Sequence, residues 1–291
     1  MKRRKNPMAS DTETIALRES QLVIDGPVAE FSHQRPASRN ALSMELRADY
    51  AEMLARVREN RALRVLVLTG SGGSFCAGGD VKGMNERLQD PDPERNSPDA
   101  TRRRLMDSQL WLTQLRELDL PVIAAVDGAA YGAGFGLALQ ADFILASTRA
   151  AFCMSFARMG AVPDYGALYT LPRIVGLARA KEVMLTARRI GAQEAMTMGF
   201  VHAVHEPVAL PQAARAFAHR LSAGPREAAA MTRSLLNKSF DTDYATLATL
   251  EACAQGVAMA SAYHAEAAAR FTRGEPSLFD WDRDSAAQQK K

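Results

Sequence analysis

Residues 121–147 read PVIAAVDGAAYGAGFGLALQADFILAS, and the rest of the chain can be arranged around them. Val122–Val126 is an apolar run of the length and β-branched content expected of a buried strand. A turn dense in small residues follows, with Gly128, Ala129, Ala130, Gly132, Ala133, Gly134 and Gly136. A helix-like segment then runs to Gln140, and residues 143–146 form a second short strand-like run. Strand, small-residue turn and helix in succession leave backbone N–H groups free above the turn. The lack of large side chains there lets a ligand approach the backbone closely.

Working outward, residues 64–69 (RVLVLT) repeat the pattern as a buried strand running into Gly70, Gly72 and Gly73, then Phe75-Cys76-Ala77-Gly78-Gly79-Asp80. Before it, short alternating runs at 15–17 and 28–31 flank Asp25-Gly26 and suggest a hairpin that Arg35-Pro36 ends. Ser43 can cap a helix carrying Leu46, Tyr50, Met53, Leu54 and Val57 at the helical period. Residues 83–104 are polar and read as a surface loop or a lid, with a helix over 105–118 after it. Beyond the central stretch come a short strand at 151–154, a turn at 160–166, helices near 167–174, 178–187 and 192–198, and a last strand at 201–205. From Pro211 on only helices are expected, over 211–221, 225–240 and 244–271. The Ala-rich face of the last suits helix packing within the subunit or across an oligomer contact. The expected organisation is a tail at 1–14, an α/β core at 15–209, a helical region at 210–280 and a frayed end at 281–291.

A chain of 291 residues, 47% hydrophobic, can bury a substantial core. The formal charge of +3 is small, and much of it sits in Lys2, Arg3, Arg4 and Lys5 on a polar tail. That balance gives no warrant for a nucleic-acid partner. No stretch is apolar for long enough to span a bilayer, and the tail lacks the apolar centre of a secretory signal. Cys76, Cys153 and Cys253 are odd in number and widely spaced, which suits a reduced, cytoplasmic protein without disulfides or a metal site.

Three readings of the glycine turns compete. A dinucleotide site needs G-x-G-x-x-G and an acidic residue ending a strand about 20 residues on. Here the spacing is G-x-G-x-G, without that acidic residue. A phosphate loop of the GK[ST] type is absent from the sequence. A second reading has the glycines only permitting tight helix packing, which suits Gly128 and Gly136 taken singly. The third takes both turns together, each presenting one backbone N–H. Two convergent donors make an oxyanion hole, at about 3–4 kcal/mol of transition-state stabilisation per donor.

These segments resemble the crotonase (enoyl-CoA hydratase/isomerase) superfamily. The resemblance rests on Arg35-Pro36 with Asn40-Ala41-Leu42, on FCAGGDVK at 75–82, and on residues 121–147. Thr186 with AQEAMTMGFV at 192–201, and Glu266 with Phe271, extend it in the family's order over about 15–280. It implies an α/β fold: a crotonase-like ββα spiral core with a C-terminal helical oligomerisation region building trimers or dimers of trimers. It also implies an acyl-CoA substrate and no separate cofactor, coenzyme A being part of the substrate. By position, the backbone N–H groups of Gly79 and Ala133 would be the oxyanion donors. Arg39, Gly78, Asp80, Val81, Lys82, Gly132, Phe156 and Tyr165 would line the thioester and acyl path. Asp80 reads more readily as a turn holder, and Lys82 either as a phosphate contact or as a solvated side chain.

The resemblance also exposes a departure. The family's hydratases carry two glutamates, and the matching positions here are Gly136 and Phe156, neither able to transfer a proton. The pocket wall is expected to be apolar, from Phe135, Phe156 and Met159. One carboxylate remains, Asp164, within Val162-Pro163-Asp164-Tyr165-Gly166. Pro-Asp-x-Gly is ordinary turn chemistry, with Asp as a helix cap. In some enoyl-CoA isomerases of the family, however, this position carries the catalytic acid, and one carboxylate suffices to shuttle a proton from the α- to the γ-carbon. The expectation is therefore double-bond isomerisation of a 3-enoyl-CoA. Hydration with non-standard residues, aryl-CoA dehalogenation and a silent acyl-CoA binder are the alternatives. Dehalogenases of the family also need a histidine after the first oxyanion turn. Residues 83–121 hold none, the five histidines being His33, His202, His205, His219 and His264.

Overall fold

A computed structural model of the chain describes residues 12–282, so most of the tails expected at 1–14 and 281–291 lies outside the described residues. The large sheet runs in the order β1 (Glu13–Ala16), β2 (Ser20–Asp25), β3 (Val28–His33), β4 (Val65–Gly70), β5 (Val122–Val126), β7 (Phe143–Ser147), β10 (Ala203–His205). The first three strands form an antiparallel meander and the other neighbours pair in parallel. Parallel strands are covered on both faces and need continuous apolar runs. The runs VLVL and VIAAV meet that need and are buried throughout. One face meets the main core, where Leu66, Leu68, Val122, Ala124 and Val126 lie among helix side chains. On the other, Val65, Val67, Ile123, Ala125 and Leu145 are covered by Leu210, Ala214 and Ala218 of α8 (Leu210–Ser222).

The second sheet is small: β6 (Ala129–Tyr131), β8 (Ala151–Cys153) and β9 (Ile190–Gly191). Single parallel bridges extend it, Ala130 to Cys76 and Gly79 to Leu42. Each turn of the chain thus leaves a strand in the large sheet, crosses to the small one and returns through a helix, which is the spiral expected from the resemblance. The crossing segments 76–79 and 129–133 end side by side.

Ser43 caps α1 (Met44–Glu59), accepting from Leu46 N at 3.0 Å, and all five apolar positions named from the period are buried. Several expectations are corrected. The hairpin is a three-stranded meander, because SQLVID at 20–25 alternates buried and half-buried positions as a strand does. β1 begins at Glu13, inside the segment expected to be tail. The loop expected at 83–104 is mostly helix: α2 (Val81–Leu88), capped by Asp80, and α3 (Pro98–Arg116), capped by Ser97 with Pro98 at its first position. Polarity there marks solvated helix faces, and caps plus proline outweigh it. The small-residue turn after β5 contains β6 before α4 (Ala133–Ala138) begins.

Three further helices follow in the core: α5 (Ala167–Val175), α6 (Leu177–Thr186) and α7 (Ala192–Thr197). After α8 comes α9 (Arg226–Leu236), fastened by the buried Arg233. Its Nε donates to Asp142 Oδ2 at 2.6 Å, and Nη1 donates to the carbonyls of Arg116 and Leu118. Asp142 Oδ2 also accepts from Val122 N at 2.7 Å, tying the helical region to the central strand. The single helix expected over 244–271 is two, α10 (Tyr244–Met259) and α11 (Ala262–Thr272), because Ser261 caps the second through His264 N.

Candidate active site

The first oxyanion turn is held from behind by buried polar groups. Asn40 is fully buried and in the left-handed region (φ 58°); its amide nitrogen donates to the carbonyls of Ser71 and Ser74, and its oxygen accepts from Arg35 N. His33 bridges Phe75 O and the Tyr50 hydroxyl at 2.9 and 2.6 Å. Burial holds the His33 imidazole down to about 4, so it stays neutral in the core. Asp80 accepts from Gly83 N at 3.1 Å and from Arg35 Nη2 at 3.3 Å. Those bonds hold its carboxyl below the ordinary range, so Asp80 is a turn holder.

The two turns adjoin at Gly78, whose φ of 98° suits glycine alone. A Cβ there would stand 2.6 Å from Tyr131 O and 3.6 Å from Ala133 N. Close approach of the turns therefore depends on a missing side chain. Cys76 N donates to Ala129 O and Tyr131 N to Cys76 O, which sets the register between them. The amides of Gly79 and Ala133 donate to no acceptor among the described residues. Gly132 N is taken by Cys153 O at 2.8 Å, leaving Ala133 as the first free donor of α4. Phe156 lies against Gly132, within ordinary contact of a Cβ built there (3.8 Å).

Asp164 is carried into the same region by the turn before α5. It does not cap that helix, whose N-cap is Gly166; only its carbonyl is used, accepting from Ala167 N. Its Oδ1 is buried without a hydrogen-bond partner, and burial raises the carboxyl to about 6 against the opposing pull of the Arg47 guanidinium. Tyr165 beside it is 1% exposed, at φ 54°, with its hydroxyl also buried and unpartnered. The Ser108 hydroxyl lies nearby, but it donates to Arg104 O at 3.1 Å and makes no full hydrogen bond to the phenol. Burial lifts the Tyr165 phenol to about 12.

The remaining expected residues are more peripheral. Val81 and Lys82 are exposed in the first turn of α2, with Lys82 3.9 Å from Glu86. Arg39 presents its side chain to solvent and contributes its carbonyl, which accepts from Ala77 N at 2.9 Å. Of the expected apolar liners, Phe135 packs inward on Phe152 and Phe200, and Met159 is exposed. Both leave the wall to Phe156 and to groups that sequence reasoning missed: Arg47 on α1, with Ser108 and Trp111 on α3. Trp111 stacks on Tyr50 at 4.6 Å and meets Tyr165 edge-on at 5.6 Å. Helical period gives no sign of these, because Arg47 lies off the apolar stripe and meets Tyr165 only through the packing of α1 on α3. No group of three or more His, Cys, Asp or Glu side chains among the described residues is placed to hold a metal.

The sequence description of the enoyl-CoA hydratase/isomerase family matches residues 24–280. The chain belongs to that family. As an enoyl-CoA hydratase/isomerase family member it acts on coenzyme A thioesters. It is 36% identical over 257 residues to a "Probable enoyl-CoA hydratase" of Rhodobacter capsulatus, covering 87% of this chain and 94% of that one. It is 32% identical to the 1,2-epoxyphenylacetyl-CoA isomerase of Escherichia coli, over 85% of this chain and 93% of that one. The crystal structure of an enoyl-CoA hydratase/isomerase from Cupriavidus metallidurans superposes with a TM-score of 0.85 at 40% identity, over 91% of this chain and 97% of that one. The positions at which the resemblance expects the hydratases' glutamates hold Gly136 and Phe156. A Cβ at Gly136 would stand 2.9 Å from Tyr165 Cβ and 3.1 Å from Asp164 O, so the Asp164–Tyr165 backbone fills the space a side chain would need.

Proposed function

We propose that this protein isomerises a 3-enoyl-CoA to the 2-enoyl-CoA, with Asp164 as the single proton shuttle and the amides of Gly79 and Ala133 as the oxyanion hole. The observation that carries this is the half-buried Asp164 carboxyl, its Oδ1 buried without a partner and its titration raised to about 6, next to a Gly136 position closed to any side chain. The carboxylate removes the α-proton, and the electron pair moves onto the thioester oxygen as a dienolate that accepts from both amides. The carboxyl then returns the proton at the γ-carbon, so the double bond moves and nothing is added or lost. A base whose acid form ionises near neutral pH is matched to such a transfer. The reaction needs no group beyond the substrate's own thioester. Phe156 and Tyr165 keep water from the dienolate, and Gly78, Gly132, Val81, Lys82 and Arg39 border the path along which coenzyme A would lie.

The name of the E. coli relative includes an isomerase activity, which accords with this reading. Hydration is the second reading, favoured by the name of the R. capsulatus relative. Assays with 3-enoyl-CoA and 2-enoyl-CoA on wild type and Asp164→Asn separate them. Isomerisation lost in the variant supports the proposal, whereas full-rate hydration without isomerisation ends it, and binding without turnover of either points to a silent binder.

We also propose assembly as a homotrimer or a dimer of trimers through the C-terminal helices. Neither α10 nor α11 has a buried residue, and Leu250, Val257, Met259 and Phe271 are exposed on them. No helix of the described residues is long and apolar enough to cross a membrane. A cytoplasmic enzyme is the proposed setting, which the three free cysteines suit.

A further inference from the structure

Arg47 is a guanidinium without a hydrogen-bonded anion among the described residues; the acid that feels its charge is Asp164. Its Nε is buried and unpartnered, and its one side-chain hydrogen bond is a long one, Nη1 to Ser108 Oγ at 3.3 Å. No carboxylate among the described residues forms an ion pair with it. Two more arginines share its surroundings. Arg104 on α3 offers its carbonyl to Ser108 Oγ and is itself paired only with Arg95 O and Thr101 Oγ1. Arg87 on α2 borders Gly83 together with the Asp80 carboxylate, and the charges of Arg47 and Arg87 oppose that of Arg104. Three positive side chains from three helices are thus near enough to oppose one another, with Asp164 the acid that feels Arg47. All three are half-buried, so a cluster of this kind favours an anion bound among them.

The position of Arg47 says what that is. Its guanidinium carbon stands 5.8 Å from the centre of the Tyr165 ring, next in sequence to Asp164. Tyr165 is almost wholly buried and its hydroxyl lacks a partner, so a second unmet donor lies close to Arg47. Both donors lie beside the residue assigned to the reacting carbons, on the acyl side of the thioester. Lys82 and Arg39, which border the expected coenzyme A path, are on other segments. We infer that the acyl group is dicarboxylic: a thioester at one end and a free carboxylate at the other, received by Arg47 and Tyr165 with Arg104 and Arg87 behind them. This rests on the acyl-CoA reading above and adds the substrate class. A planar guanidinium is suited to a carboxylate, which it can hold through two parallel N–H donors. A carboxylate on Arg47 would also offset the charge that now holds Asp164 down, leaving Asp164 a stronger base.

Saturated thioesters test this without any turnover. Calorimetric titration of the full-length protein would compare adipyl-CoA with hexanoyl-CoA, and succinyl-CoA with butyryl-CoA, so that two reaches are sampled. Free coenzyme A is the control. Wild type should bind at least one dicarboxylic thioester roughly tenfold or more tightly than its neutral match. Arg47→Met should remove most of that preference, Arg47→Lys should keep part of it, and Arg104→Gln should reduce it. Equal affinity for both members of each pair overturns the proposal and leaves the acyl-CoA reading standing. Loss of free coenzyme A binding in Arg47→Met, in step with the thioesters, also overturns it, since the arginines would then hold phosphates. Failure of every thioester to bind wild type overturns both readings.

Discussion

Gly136 and Tyr165 meet so closely that a Cβ on the glycine would lie 2.9 Å from the tyrosine Cβ. Glycine at 136 is therefore required by packing, because the chain that carries Asp164 occupies the place of a side chain there. Gly136→Ala should destabilise the protein by about 1–3 kcal/mol, the usual range for overpacking a filled core. A lower urea midpoint at unchanged slope would confirm it. An unchanged midpoint would mean that the 164–165 segment moves aside freely.

Asp164→Asn should lower isomerisation by roughly 10²–10⁴-fold, the range for loss of a general base, with thioester binding retained. In wild type the rate should rise with pH through an apparent pKa of about 6 and level off above it, since the base is the ionised form. The same shift has a stability consequence. A carboxyl raised from 3.8 to about 6 favours the folded state below pH 4, and that contribution is lost as pH rises through 6. At pH 8 the asparagine variant should be the more stable protein, by on the order of 2 kcal/mol. Less stability at pH 8 than wild type would contradict a buried, unpaired carboxylate.

His33 works in the opposite direction over the same pH range. Its imidazole is depressed from 6.5 to about 4. The stability this contributes is present above pH 6.5 and is lost as pH falls through 4. Wild type should therefore show a shallow acid limb in which the two residues partly offset each other. His33→Leu should flatten it further, or invert it, between pH 6.5 and 4, while Asp164→Asn should steepen it. Unfolding free energies at four or five pH values would decide.

Asn40→Ala should cost about 2–4 kcal/mol, because it leaves the buried carbonyls of Ser71 and Ser74 and the Arg35 amide without their partner. Activity should fall by more than the loss of folded protein explains, since the Phe75–Gly79 turn loses its backing. Hydrogen exchange at residues 74–79 would report that loosening directly. Unchanged protection there would place the support elsewhere, on His33 and its bond to Phe75 O.

Local pattern made much of the architecture legible. The buried strands at 65–70 and 122–126, the Ser43 cap and the apolar stripe of α1 are all short-range signals, and each is where pattern placed it. The polar stretch at 83–104 misled because charge is shared by loops and by solvated helices, and only the caps at Asp80 and Ser97 tell them apart. Met159 and Phe135 misled for a related reason: an apolar residue near a site can face the solvent or the core as readily as the pocket.

By itself, the amino-acid order determined the family and the strand-to-turn segments that end at Gly79 and Ala133, with Gly136 and Phe156 where the resemblance expects glutamates. Those are properties of consecutive residues, set by side-chain size, period and backbone freedom. Only the tertiary structure decided that Asp164 Oδ1 is buried without a partner, that Gly136 is closed by the 164–165 backbone, and that Arg47 stands over Tyr165 without a hydrogen-bonded carboxylate. Solvation and close contact belong to groups far apart in the chain. Their energies arise when α1, α3 and the turn before α5 pack together, and no local pattern encodes them.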